Sequence, residues 1–163
     1  MKACRVHHFG PPDVISFEDV ARPHPGGGEV LVRVKAAGVG PWDAWIRAGK
    51  SVLPQPLPLI LGSDLSGTVE AIGPAVTALK PDIEVFGVTN RQFTGAYAQY
   101  AVASVGMIAA RPVRLSDVEA ASVPVVAVTA QQALFEQAKL VADRMTVTST
   151  SAAKRLVGGS WRA

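Results

Sequence analysis

Glu29-Val-Leu-Val-Arg-Val-Lys-Ala36 is the clearest strand in the chain. Val30, Val32 and Val34 fall on one side, and Leu31, Arg33 and Lys35 on the other. That alternation has the period of a strand with one buried face. The loop Pro23-His-Pro-Gly-Gly-Gly28 precedes it, and Gly38-Val-Gly-Pro41 ends it. Upstream, residues 1–9 predict a first strand stopped by Gly10-Pro11-Pro12, and Val14 to Val20 a second. Downstream, Trp42 to Gly49 predicts a short helix with Gly49 as its stop. Pro54-Gln-Pro-Leu-Pro58 must be extended loop. Ser66 to Ile72, Glu84 to Val88 and Ala96 to Ala103 complete the strands. Ser116-Asp-Val-Glu119 has the spacing of a capping box and predicts a helix. Pro124 divides that helix, and Thr129 to Leu140 reads as helical. Many short strands followed by helices predict a mainly β, α+β fold: a partly open β-barrel with a helical exit.

Composition narrows the function classes. Of 163 residues, 48% are hydrophobic and 18% charged, which excludes a disordered chain. The formal charge of +3 comes from the end of the chain: Lys139, Arg144, Lys154, Arg155 and Arg162 face only Asp143, while residues 1–138 are nearly neutral. No face combines basic residues with stacking aromatics, so a nucleic-acid partner is not expected. The single cysteine, Cys4, excludes a disulfide framework and a cysteine-rich zinc site. No apolar signal core follows Met1. The greasiest stretch, Val123 to Ala130, is too short to span a bilayer, so a cytoplasmic location without membrane attachment is expected.

Five blocks carry a resemblance. They are Glu29-Val-Leu-Val-Arg-Val, Ala37-Gly-Val-Gly-Pro-Trp-Asp43, Leu61-Gly-Ser-Asp-Leu-Ser-Gly-Thr-Val-Glu-Ala-Ile-Gly73, Gly95-Ala-Tyr-Ala-Gln-Tyr-Ala101 and Ala121-Ser-Val-Pro-Val-Val-Ala-Val-Thr-Ala130. In order and spacing, over residues 1–140, they resemble the medium-chain dehydrogenase/reductase superfamily, in its zinc-independent quinone oxidoreductase branch. The resemblance implies a GroES-like catalytic domain over 1–140, followed in that family by a Rossmann domain. It also implies hydride transfer from NADPH to a quinone or enone, with the protein orienting and polarising the reactants.

Zinc-dependent relatives place a cysteine ligand where this chain has Gly40 and a histidine ligand where it has Ser63. Glycine cannot ligate, and serine is a poor zinc ligand beside thiolate or imidazole. His7, His8 and His24 lie near the N-terminus, away from these motifs. No metal is expected. By the same resemblance, Gly40, Trp45 and Thr129 are the cofactor-binding candidates at the nicotinamide end; no catalytic residue is assigned. Many relatives carry Asn at the position of Gly40 and Tyr at that of Trp45; Trp keeps a ring and an N–H but lacks a hydroxyl. Thr129 also reads as a helix N-cap. Asp43 reads as a backbone-holding residue and Asp64 as a loop anchor. Phe93 and Tyr97 read as core packing more readily than as cleft lining.

The chain departs from the family after Leu140. A glycine-rich loop should open the nucleotide-binding domain and hold the cofactor pyrophosphate. Instead, residues 141–163 form a basic, Ser/Thr-rich tail without Gly-x-Gly-x-x-Gly. The expectation is a truncated start of that domain and a chain inactive alone. Alternatives are a non-catalytic binding module, or half of a split reductase completed by a separate nucleotide-binding chain. A homodimer is also open. A second departure is Asp82-Ile83, where relatives have Gly-Asp. If residue 82 needs a positive φ, the loss of glycine costs about 1 kcal/mol.

Overall fold

The computed structural model describes residues 1–140; the divergent tail, 141–163, lies outside them. Among the described residues, eight strands and three α-helices follow in order: β1 (Lys2–Val6), β2 (Ile15–Asp19), β3 (Glu29–Ala37), α1 (Pro41–Arg47), β4 (Leu59–Ile60), β5 (Asp64–Ile72), β6 (Glu84–Val88), β7 (Tyr100–Ser104), β8 (Ile108–Ala110), α2 (Asp117–Ala121) and α3 (Pro124–Gln131). The strands form two open antiparallel sheets, one in the order β2-β1-β4 and one in the order β7-β3-β5-β6-β8. This is the mainly β, incompletely closed fold that the strand pattern predicts.

The larger sheet is built on β3 and β5. β3 pairs with β5 through two register shifts, between Leu31 and Val32 and between Val34 and Ala36. Such bulges bend a sheet and let it wrap a core. β5 is flanked on both edges, and its first six residues are buried. Val30, Val32, Leu65, Val69, Val85, Ala96, Ala101 and Ala103 make the main apolar cluster. A second cluster, Val6, Ile46, Leu59 and Leu61, lies under α1, and Tyr97 packs against both.

Ala96 to Ala103 is not one strand. Its first half changes partners: Tyr97 N–H donates to Leu61 O at 2.9 Å, and its carbonyl accepts from Cys4 N–H at 2.8 Å. Ala3 and Ala98 form an isolated bridge. The segment stitches the small sheet to the large one before continuing as β7. β4 and β8 are the strands the sequence does not announce. They have two and three residues, too short to show a period.

The capping box at Ser116 forms. Glu119 N–H donates to Ser116 Oγ at 3.3 Å, and Ser116 N–H to Glu119 Oε2 at 2.8 Å. The backbone and hydroxyl donors of Ser116 hold the Glu119 carboxyl below its ordinary pKa. Asp117 fastens α2 to the sheet by accepting from Ser66 Oγ at 3.0 Å, beside Lys35 and Arg111. Asp82 has φ +67°, so the lost glycine does sit in the left-handed region.

The chain divides into two compact units, with the boundary between Pro124 and Val125. In the second, α3 passes directly into a π-helical turn over Gln132–Gln137. Among the described residues, no helix is long and apolar enough to cross a membrane.

Candidate active site

α1 organises the first unit's site. Pro41 takes the first helical position, where its missing N–H costs nothing. Gly40 is the extended N-cap residue, and Asp43 Oδ2 accepts its N–H at 2.8 Å. This is the backbone-holding role expected of Asp43. The helix ends as Gly49 predicts, with φ +71° and bonds from Gly49 N–H to Ile46 O and from Lys50 N–H to Trp45 O.

The indole of Trp42 folds back over Gly40. A Cβ on Gly40 would stand 2.2 Å from Cε2 and Cζ2 of that ring. Any side chain at residue 40 would therefore have to displace the Trp42 indole. The indole Nε1–H donates to Ser63 Oγ at 2.8 Å, and Ser63 Oγ–H donates to Asp64 Oδ2 at 2.5 Å. Ser63 and Asp64 are both buried, at the entry to β5.

A second chain of bonds runs beside the first. Tyr97 Oη donates to Asp43 Oδ2 at 2.9 Å, with Gly38 O at 3.3 Å. The Tyr97 ring rests on Gly62, where a Cβ would come within 2.2 Å of it; Gly62 also has φ +89°. Burial pushes the Asp43 carboxyl above its usual pKa, against the pull of Gly40 N–H and Tyr97 Oη–H. Burial raises the Tyr97 phenol too, reinforced by the neighbouring Asp43 charge.

A hydroxyl has one proton, and an indole one N–H. The proton of Trp42 goes to Ser63, that of Ser63 to Asp64, and that of Tyr97 to Asp43. Each of these three donors is engaged by a neighbour in the protein and not held out to a ligand.

Gly40 caps the start of α1, and Trp45 lies within the same helix. Trp45 lies one turn from Trp42 on the same helix and is 57% exposed, and Val39, before the N-cap, is exposed too. Thr129 lies in the second unit. It is the sixth residue of α3 and exposed, so it is not an N-cap; the helix begins at Pro124, which suits the first turn. Asp64 anchors Ser63 as a loop-holding residue would. Phe93 packs against the second cluster.

Trp42 and Ser63 as a bonded pair are what sequence reasoning missed. The available signal was one of volume, a glycine two residues before a tryptophan, with a serine in the following block. The groups around Gly40 are hydroxyls, carboxylates and an indole, without thiol or imidazole. Among the described residues, no group of three His, Cys, Asp or Glu side chains could hold a metal ion. His7 instead pairs with Glu18 at 3.1 Å on the surface.

Comparison with known proteins agrees with this architecture. Residues 26–113 match the alcohol dehydrogenase GroES-like domain. Human quinone oxidoreductase is 36% identical over 139 residues, covering 85% of this chain and 42% of the human protein. A spinach chloroplast quinone-oxidoreductase homolog is 38% identical over 136 residues, covering 82% of this chain and 41% of that protein. The Coxiella burnetii quinone oxidoreductase structure superposes with a TM-score of 0.79 at 34% identity, over 85% of this chain and 45% of that one. The Escherichia coli quinone oxidoreductase, solved in complex with NADPH, superposes with a TM-score of 0.76 at 25% identity, over 85% of this chain and 41% of that one. The chain thus spans about two-fifths of the length of the curated relatives it matches. It belongs to the alcohol dehydrogenase GroES-like family, and corresponds to the N-terminal part of the quinone oxidoreductases of the medium-chain dehydrogenase/reductase superfamily.

Proposed function

We propose that residues 1–140 are the catalytic-domain portion of a zinc-independent, NADPH-dependent oxidoreductase acting on quinones, and that this chain is inactive without a nucleotide-binding half. One observation carries the choice of substrate: the side-chain donors beside Gly40 are each engaged within the protein, Trp42 on Ser63, Ser63 on Asp64 and Tyr97 on Asp43. NADPH, when bound, supplies a hydride. A quinone that accepts one becomes a phenolate-like anion, whose conjugate acid has a pKa near that of tyrosine, about 10. It can persist until solvent protonates it. A ketone would become an alkoxide, far more basic, which needs a proton donor or a metal at the moment of transfer. Gly40 and Ser63 supply no such metal site, and Trp42, Ser63 and Tyr97 supply no free proton.

Gly40 and the exposed Trp45 would meet the nicotinamide end of the cofactor, and Thr129 would be the third contact. The sequence has no Gly-x-Gly-x-x-Gly to hold the pyrophosphate, which supports inactivity of the chain alone. The test is a calorimetric titration of the full chain with NADPH. No saturation up to millimolar cofactor is expected. Saturable binding would show that another part of the chain replaces the phosphate loop, and would end the claim that a second half is needed.

A further inference from the structure

We infer that Trp42 is the specificity-determining residue of this site: its indole takes the place of a side chain at residue 40, so that a ligand brought to Gly40 meets a flat aromatic ring instead of a polar group. The inference rests on the oxidoreductase reading for the kind of ligand, but its geometry does not.

Three observations converge. The indole carbons lie where a residue-40 Cβ would be, at 2.2–2.5 Å, so residues 40 and 42 compete for one volume and only one can fill it. The ring is fixed in that place by Nε1–H on Ser63 Oγ, and Ser63 is in turn held by Asp64. Trp42 is only half-buried, whereas the residues that hold it, Ser63 and Asp64, are buried. Part of the residue therefore remains accessible to a ligand, while its N–H is engaged by Ser63. A partly open indole with its N–H engaged presents π surface and edge carbons. That surface selects planar, electron-poor rings by stacking, and offers nothing to compact ligands that need a hydrogen bond. Ser63 would be the donor for such a ligand, but its proton points at Asp64.

The test uses the full chain and two kinds of measurement. The first is a thermal double-mutant cycle at residues 40 and 42. Gly40→Ala is expected to lower the melting temperature by about 4–8 °C in the native background, because an added methyl must displace the indole. In the Trp42→Ala background the same change should cost about 1 °C or less. Equal losses in both backgrounds overturn the shared-volume claim.

The second measurement follows the Gly40 amide resonance while duroquinone or cyclohexanone is added. Duroquinone is planar and fully substituted, so Cys4 has no open ring carbon to attack; cyclohexanone is a compact, non-planar carbonyl. Duroquinone should shift the Gly40 signal saturably and cyclohexanone should not. Trp42→Ala should weaken duroquinone about tenfold, the scale of one lost stacking contact. Trp42→Phe, which keeps a ring and folds more safely, should hold affinity within about threefold. Unchanged duroquinone binding in Trp42→Ala overturns the inference and leaves the quinone reading intact. No duroquinone binding in any variant, with the thermal coupling present, overturns the quinone reading and with it the inferred ligand class.

Discussion

The large sheet and the helix start at α1 are stabilised in opposite ways. Around β3 and β5 the core is apolar, and each side chain needs only to be of the right size and on the right face: Val30, Val32, Leu65 and Val69 are all fully buried. Around Gly40 the buried groups are Asp43, Ser63 and Asp64, tied by directed bonds to one another or to Gly40 N–H, Trp42 and Tyr97. The sheet tolerates an exchange of apolar side chains of like volume by repacking, though not the deletion of one. The network tolerates very little, because a removed partner leaves a buried polar group unmatched. Each region draws on a different kind of information in the chain. Apolar cores follow from local pattern; polar networks follow from meetings between residues far apart in sequence.

Four substitutions probe that contrast. The largest effect is expected from Leu65→Ala in the sheet, a loss of about 3 kcal/mol in chemical denaturation from the lost transfer energy and the cavity together. The network should survive it, with the Trp42 indole N–H resonance in place. Gly62→Ala strikes the network instead. The positive φ and the Tyr97 ring together predict a loss of about 2 kcal/mol. It should displace the Tyr97 hydroxyl from Asp43, which a change in the phenol's ultraviolet titration would report. Ser116→Ala, outside both regions, should cost about 1 kcal/mol by removing a helix cap. Asp82→Gly should be the smallest change and the only gain, about 0.5 kcal/mol, because it relieves an aspartate held at φ +67°.

The network also has a pH signature. Because burial raises the folded-state pKa of Asp43 above its unfolded value, the folded state binds the proton more tightly. Its contribution is present below the unfolded pKa of about 3.9 and is lost as pH rises through the raised value. Asp43→Asn should flatten that part of the stability profile. Glu119 works in the opposite direction: its carboxyl is lowered, so its contribution is present above the unfolded pKa and lost on acidification. A profile for Asp43→Asn that parallels the native one across mildly acidic pH would mean that Asp43 is not the group responsible.

Much of the fold was legible in the chain, and the reasons are physical. β3 showed its alternation, α1 its glycine stop, and α2 its capping box, each a signal carried within ten residues. The split of Ala96 to Ala103 was not legible, because the partner of Tyr97 is Leu61 in one direction and Cys4 in the other. Thr129 read as a helix N-cap as readily as a cofactor contact, but Pro124 sets the helix boundary. At the site, Gly40 and Trp45 could be named by resemblance. Trp42 could not, because its role exists only when the indole meets both Gly40 and Ser63, 21 residues away from it.

On this reading the site passes a hydride to a quinone without lending a proton. Fusing residues 1–140 to the nucleotide-binding half of the human quinone oxidoreductase would give a complete enzyme in which that property can be read as NADPH oxidation. With duroquinone, turnover should be saturable; with cyclohexanone at matched concentration, it should be at or near the rate without substrate. Comparable turnover with the ketone would mean that a donor beside Gly40 is free after all, and that the hydride does not depend on a quinone acceptor.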